Sequence, residues 1–217
     1  MKVAVYEGNQ QFSIREVETP KPAADQVLAR ITHSAICGTD VHAFMYDLAP
    51  QGTVLGHEIA GEIVEIGENV QNWKAGQRVV AGGGDTPPGH EAPNRSAPRY
   101  NFRERGFEVS HNGYAEYTLI DSWRLLEIPD QVSGPLASLT EPCAVAVRAL
   151  RRSAVKLGSS VAILGAGPIG LLCLQAAQTA GATRVLVSEP SETRRKVATE
   201  LGAYATIDPL TNDVVEN

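Results

Sequence analysis

From Lys2 to about residue 130, apolar positions come in short runs that partly alternate with polar ones: KVAVYE, FSIREVE, QVLARITHSAI, GEIVEIG, QRVVAG, YAEYTLI and RLLEIP. The runs are rich in Val, Ile and Tyr, and Pro, Gly, Asn and Asp separate them, as in short strands joined by turns. So many strands in succession predict a barrel-like or sandwich-like β domain. Residues 82–112 break the rhythm with three consecutive glycines, four prolines and no period of 2 or 3.6. A surface excursion is expected there.

After residue 136 the period changes. LASLTEPCAVAVRALRRSAV has helical spacing with basic residues towards its end and predicts a connecting helix. The pattern then predicts strands at about 160–164, 184–188 and 204–207, with helices over about 168–180 and 191–201. That alternation begins a parallel βαβαβ unit. A two-halved dinucleotide-binding sheet has six strands, so the three predicted here lead us to expect a fragment of a longer protein. The fold class expected is α/β: a β-rich domain over residues 1–150, then a partial parallel sheet over 151–217.

Composition mostly narrows the partners. With 217 residues, 43% hydrophobic and 20% charged, the chain can build a core. A net charge of −6 disfavours nucleic acid or an anionic membrane as partner, because both need a basic footprint. No stretch has the length of a signal peptide or a membrane span. Cys37, Cys143 and Cys173 are odd in number and far apart, which is no disulfide framework. A reducing, cytoplasmic location is expected.

Candidate chemistry enters at VAILGAGPIG. Gly165, Gly167 and Gly170 follow an apolar strand and open a helix, with Pro168 and Ile169 in the same turn. The first glycine permits the tight turn, the second lets backbone N–H groups approach a pyrophosphate, and the third lets helix and strand pack closely. The helix N-terminus turns its partial positive charge to the phosphates. Glu189 ends the second strand, nineteen residues past Gly170. A carboxylate there accepts hydrogen bonds from an adenosine ribose 2′-OH and repels a 2′-phosphate, which favours NAD over NADP. Arg194 either stacks on adenine or sits in the first turns of a helix, and with Arg195 it leaves room for a 2′-phosphate.

Gly-His-Glu occurs twice, at 56–58 and 89–91. The first copy continues as Gly56-His57-Glu58-x-x-Gly61, then Gly67 and Val70, while AICGTDVH lies twenty residues earlier and the glycine loop a hundred later. In this order and over essentially the whole chain, the motifs resemble the zinc-dependent medium-chain alcohol/polyol dehydrogenases. The second copy lacks that company and is expected to be coincidental, with His90 solvated.

The resemblance implies a GroES-like N-terminal domain and a Rossmann domain. It implies one catalytic zinc held by Cys37 and His57, with Glu58 as a ligand, direct or through water. Glu141, in LTEPCAV, falls where the polyol, threonine and butanediol branches carry a glutamate; Cys143 lies two residues too late. Thr39 and His42 match the family's hydroxyl and imidazole proton relay, while Asp40 reads as a helix-capping or structural residue. Members with a structural zinc carry four cysteines in the excursion. This chain has no cysteine between Cys37 and Cys143, so no structural zinc held by four cysteines is expected. The activity implied is reversible oxidation of a secondary alcohol, such as a polyol, sugar or vicinal diol, by NAD. A threonine-type amino alcohol, a zinc-free quinone-reductase-like relative and a non-catalytic cofactor- or zinc-binding fragment stay open. The complete protein is expected to be a homo-oligomer acting on a small molecule.

Overall fold

The structure, a computed structural model, describes residues 1–81 and 113–212. The predicted excursion at 82–112, with the second Gly-His-Glu, lies outside the described residues. The chain forms two compact units, Met1–Glu141 and Pro142–Asn217.

In the first unit the predicted strands form as β1 (Lys2–Gly8), β2 (Gln11–Glu16), β3 (Gln26–Ala35), β5 (Glu58–Ile66), β6 (Arg78–Ala81), β7 (Tyr117–Asp121) and β8 (Leu125–Glu127). The apolar pattern does not announce helix α1 (Gly38–Met45) or the two-residue strand β4 (Thr53–Val54). Both are too short to express a period. Five strands make an antiparallel sheet in the order β7-β3-β5-β6-β8, and three more the sheet β2-β1-β4. Alternation along the strands buries Val27, Ala29, Ile59, Ile63, Val79 and Ile120 in one cluster. Each of the larger side chains among them contributes about 1.5–3 kcal/mol on leaving water.

The β3–β5 pairing sets up the site. Its register ends at Ser34 opposite Ile59 and Ala35 opposite Glu58. Residues just past β3 therefore meet residues just before β5, which brings Cys37 towards His57. Two irregularities interrupt the ladder, between Leu28 and Ala29 and between Ile31 and His33. Paired residue numbers sum to 93 at Val27–Ile66, to 92 at Ile31–Gly61 and to 93 again at His33–Ala60. The first irregularity skips Val64 on β5, the second skips Thr32 on β3, and they cancel.

The predicted connecting helix is broken at Leu139 into α2 (Gly134–Ser138) and α3 (Thr140–Arg152). Pro142 falls in the first turn of α3, where a missing N–H costs nothing. The second unit runs β9 (Ser160–Leu164), α4 (Pro168–Thr179), β10 (Arg184–Ser188), α5 (Glu192–Glu200) and β11 (Ala205–Ile207). Its strands are parallel in the order β11-β10-β9. Leu174, Ala177, Val185, Val187 and Ala198 pack into its core. Leu164, on the unpaired side of the sheet, is 82% exposed. A β-rich domain followed by a Rossmann-type parallel sheet is thus the fold the chain adopts.

Candidate metal centre and nucleotide loop

Cys37 is the N-cap of α1, and its extended backbone (φ −76°, ψ 153°) turns the chain from β3 into the helix. His57 and Glu58 stand at the entrance to β5. Among the described residues, Cys37, His57 and Glu58 form a group whose ligand atoms all lie within 4.8 Å of one another. A thiol, an imidazole and a carboxylate that close are a donor set suited to zinc, with room for an open position. Three of the four sequence candidates are therefore brought together.

The electrostatics fit a site built for a cation. Burial, with the Glu58 and Asp40 carboxylates alongside, pushes the Cys37 thiol above its ordinary pKa. Burial also raises Glu58. The Asp40 carboxylate raises the pKa of His57, and Glu141 and Glu58 add to this. Three groups that favour their protons when crowded together would release them to a divalent ion.

Glu141 lies in the first turn of α3 and outside the group of three. Its charge nonetheless reaches both His57 and Glu58. Thr39, in the first turn of α1, has Oγ1 3.5 Å from His57 Nε2. His42 is exposed one turn further on, where its ring meets Tyr46 at 5.7 Å between centroids.

Asp40 does more than its expected capping. It is 3% exposed, and its Oδ2 accepts the Cys37 N–H at 3.0 Å, which closes the first turn of α1. Its Oδ1 accepts the Gly56 N–H at 3.2 Å and lies 3.6 Å from His57 Nδ1. That last separation is long for a hydrogen bond but close enough for a strong charge interaction. Burial alone would raise the Asp40 pKa, yet the His57 ring, the Cys37 N–H and the Tyr114 hydroxyl hold it below the usual range. One carboxylate thus ties both ligand-bearing segments together. The sequence suggested only the capping half of this role, towards Cys37; the contacts to Gly56 and His57 had no signal in it. Tyr114, whose hydroxyl donates to Asp40 Oδ2 at 3.0 Å, gave no signal in the sequence.

In the second unit the glycine loop is shaped for an anion. Gly165 has φ +100°, in the region that favours glycine. A side chain on Gly170 would run into the Gly165 carbonyl, whereas one on Gly167 would meet no atom within 4 Å. Gly167 caps α4, with Pro168 and Ile169 opening the helix. The space beside Gly167 is what a pyrophosphate approaching the helix N-terminus needs.

Glu189 follows β10 and is 4% exposed. Its Oε2 accepts the Ala166 N–H at 2.7 Å and its Oε1 the Ser191 N–H at 2.9 Å. The carboxylate therefore bridges the glycine loop and the turn leading into α5. Those two N–H groups, Ala166 first, hold its pKa below the usual carboxylate range against burial. Arg195 spends its Nη1 on the Glu189 and Pro190 carbonyls, both at 2.7 Å, and on Asp208 at 3.2 Å. Arg194 is exposed in the first turn of α5.

The bridge carries a pH dependence. A folded-state pKa below the unfolded value adds stability above the ordinary Glu value of about 4.3, lost as pH falls through the depressed folded value. Glu189→Gln should cost about 2 kcal/mol at neutral pH. The gap from the unsubstituted chain should narrow as pH falls below the ordinary Glu value and close below the depressed folded one, as read by urea unfolding across that range. A gap independent of pH would show that the carboxylate charge plays no part.

Comparison with known proteins agrees with this geometry. The profile described as "Alcohol dehydrogenase GroES-like domain" matches residues 23–130, and that described as "Zinc-binding dehydrogenase" matches 168–217. The chain is 35% identical over 234 residues to (R,R)-butanediol dehydrogenase of Bacillus subtilis, covering 99% of this chain and 65% of that protein. It is also 35% identical over 207 residues to L-threonine 3-dehydrogenase of Pyrococcus horikoshii, covering 93% and 59%. The crystal structure of the Bacillus subtilis 2R,3R-butanediol dehydrogenase superposes with a TM-score of 0.83 at 33% identity, over 99% of this chain and 65% of that one. A Sinorhizobium meliloti structure, bound to NADP, gives a TM-score of 0.82 at 33% identity, over 99% and 64%. The chain thus spans less than two thirds of the length of these relatives. Two profiles in chain order, each falling on a unit whose geometry suits it, leave one assignment: the chain belongs to the family of zinc-dependent medium-chain dehydrogenases.

Proposed function

We propose that this chain is the zinc- and nicotinamide-binding part of an oxidoreductase that converts a secondary alcohol (a polyol, sugar or vicinal diol) to a ketone, with NAD favoured over NADP. The observation that carries the reading is the convergence of Cys37, His57 and Glu58 within 4.8 Å. Cys37 and His57 would hold the ion, Glu58 would add a carboxylate, and Glu141 is the candidate fourth donor. When bound, zinc supplies Lewis-acid polarisation of the substrate oxygen.

The remaining work falls to side chains. Thr39 would take up the substrate hydroxyl proton, a role supported by its Oγ1 lying 3.5 Å from His57 Nε2. His42 follows three residues later on the same face of α1, and an imidazole there can carry the proton to water. Gly165, Gly167, Pro168, Ile169 and Gly170 cradle the pyrophosphate. Glu189 would favour a ribose bearing a free 2′-OH, and Arg194 would lie over the adenine. The threonine dehydrogenase among the relatives supports an amino alcohol as a second substrate reading.

The test is to assay the whole protein against polyols, vicinal diols and threonine with NAD and with NADP, before and after chelation, following nicotinamide absorbance. Turnover should favour NAD and disappear on chelation. Turnover that survives complete removal of metal would overturn the reading in favour of a zinc-free reductase.

A further inference from the structure

We infer that Tyr114 is a positioning residue for the metal centre, acting on His57 through Asp40. The inference rests on the zinc reading above.

Tyr114 is fixed on both sides of its backbone. Its N–H donates to the Leu55 carbonyl at 2.9 Å, and its carbonyl accepts the Ala4 N–H at 2.8 Å. Next to it, the Gly113 N–H donates to the Gly56 carbonyl at 2.9 Å. The Tyr114 ring then lies over Gly56, where an added Cβ would come within 2.7 Å of the ring carbon Cδ1. Gly56 has φ +93° and directly precedes His57, so the ring sets the turn that delivers the imidazole.

The hydroxyl completes the arrangement. It donates to Asp40 Oδ2 at 3.0 Å, and that oxygen also accepts the Cys37 N–H. With Oδ2 occupied by two donors, Oδ1 is left to the Gly56 N–H and to His57 Nδ1. A carboxylate facing Nδ1 favours the tautomer protonated there and leaves Nε2 as the ligand atom. The phenol thus fixes which carboxylate oxygen faces the imidazole. It acts through the Asp40 carboxylate to which its hydroxyl donates, which is why it is a positioning residue.

The test is Tyr114→Phe in the 217-residue chain. Zinc affinity is read by competition with a colorimetric chelator, and site geometry by the visible absorption of the cobalt(II)-loaded chain. Affinity should fall about tenfold, the lower end of what outer ligand partners contribute. The cobalt bands should shift, while the circular dichroism of the metal-free chain stays the same. Tyr117→Phe, the loss of a hydroxyl on β7, should change neither reading. Zinc held within about twofold of the unsubstituted chain with unshifted cobalt bands would overturn the inference, as would an equal loss in Tyr117→Phe. A second measurement needs no variant: nitrogen NMR of the metal-free chain, at a pH where the ring is neutral, should find His57 protonated on Nδ1. Protonation on Nε2 would overturn the inference even if Tyr114→Phe did not fold. Failure of the unsubstituted chain to bind either metal removes the zinc reading, and this inference with it.

Discussion

Cys37→Ser should abolish tight zinc binding while leaving the metal-free chain at least as stable as before. The loss should exceed the roughly 10–100-fold that outer partners contribute, because a thiolate ligand is itself removed. Stability should not follow, for a reason of position. Cys37 is the N-cap of α1, and serine is among the preferred N-cap residues. The substitution therefore separates ligation from folding, which alanine at the same place would not. Chelator competition gives the first quantity and thermal unfolding of the metal-free chain the second. Cys143→Ser and Cys173→Ser, outside the group of three, should leave zinc affinity unchanged. If Cys37→Ser kept its zinc, the thiol would be no ligand and the proposed chemistry would lose its centre.

The second large effect concerns two glycines that the motif treats alike and the structure does not. A methyl on Gly170 would be driven into the Gly165 carbonyl and would lie 3.0 Å from its carbon. Backbone cannot rotate aside as a side chain can, so Gly170→Ala should cost about 3 kcal/mol or more, the upper end of overpacking. The loss should appear as early unfolding of the second unit. Gly167→Ala meets nothing within 4 Å and sits at φ −72°. It should cost at most about 1 kcal/mol, as an N-cap change does. Its effect should fall on the ligand instead, with nicotinamide cofactor binding weakened in a fluorescence titration while the melting temperature barely moves. Equal effects of both substitutions would mean that neither glycine faces a ligand.

Much of the fold was legible because strand period and helix period are local properties. Strands β9 and β10 follow directly from their apolar runs, and the helices between them from spacing and caps. Helix α1 was illegible since eight residues with Asp40 and His42 among them display no apolar stripe. In the candidate site, Cys37, His57 and Glu58 could be named from residue type and spacing, and the β3–β5 register explains their meeting. Glu189 was legible as a position but not as a bridge: its two N–H donors come from loops whose conformation no spacing rule encodes. Tyr114 is further removed still. It reaches Asp40 across 74 positions of sequence, through a contact made only after the sheet has closed.

The compensating irregularities in β3 and β5 have an effect that reaches past the sheet. Excising Thr32, the spare residue of the second irregularity, would leave every pair beyond it as it is, from His33 with Ala60 to Ala35 with Glu58. Excising Ser34 instead would draw Ala35 opposite Ile59 and move the chain towards Cys37 by one position. In a pleated strand one position is a change of side. The kink is therefore slack that a deletion can consume harmlessly, whereas the ungapped rungs beyond it fix where the thiol arrives.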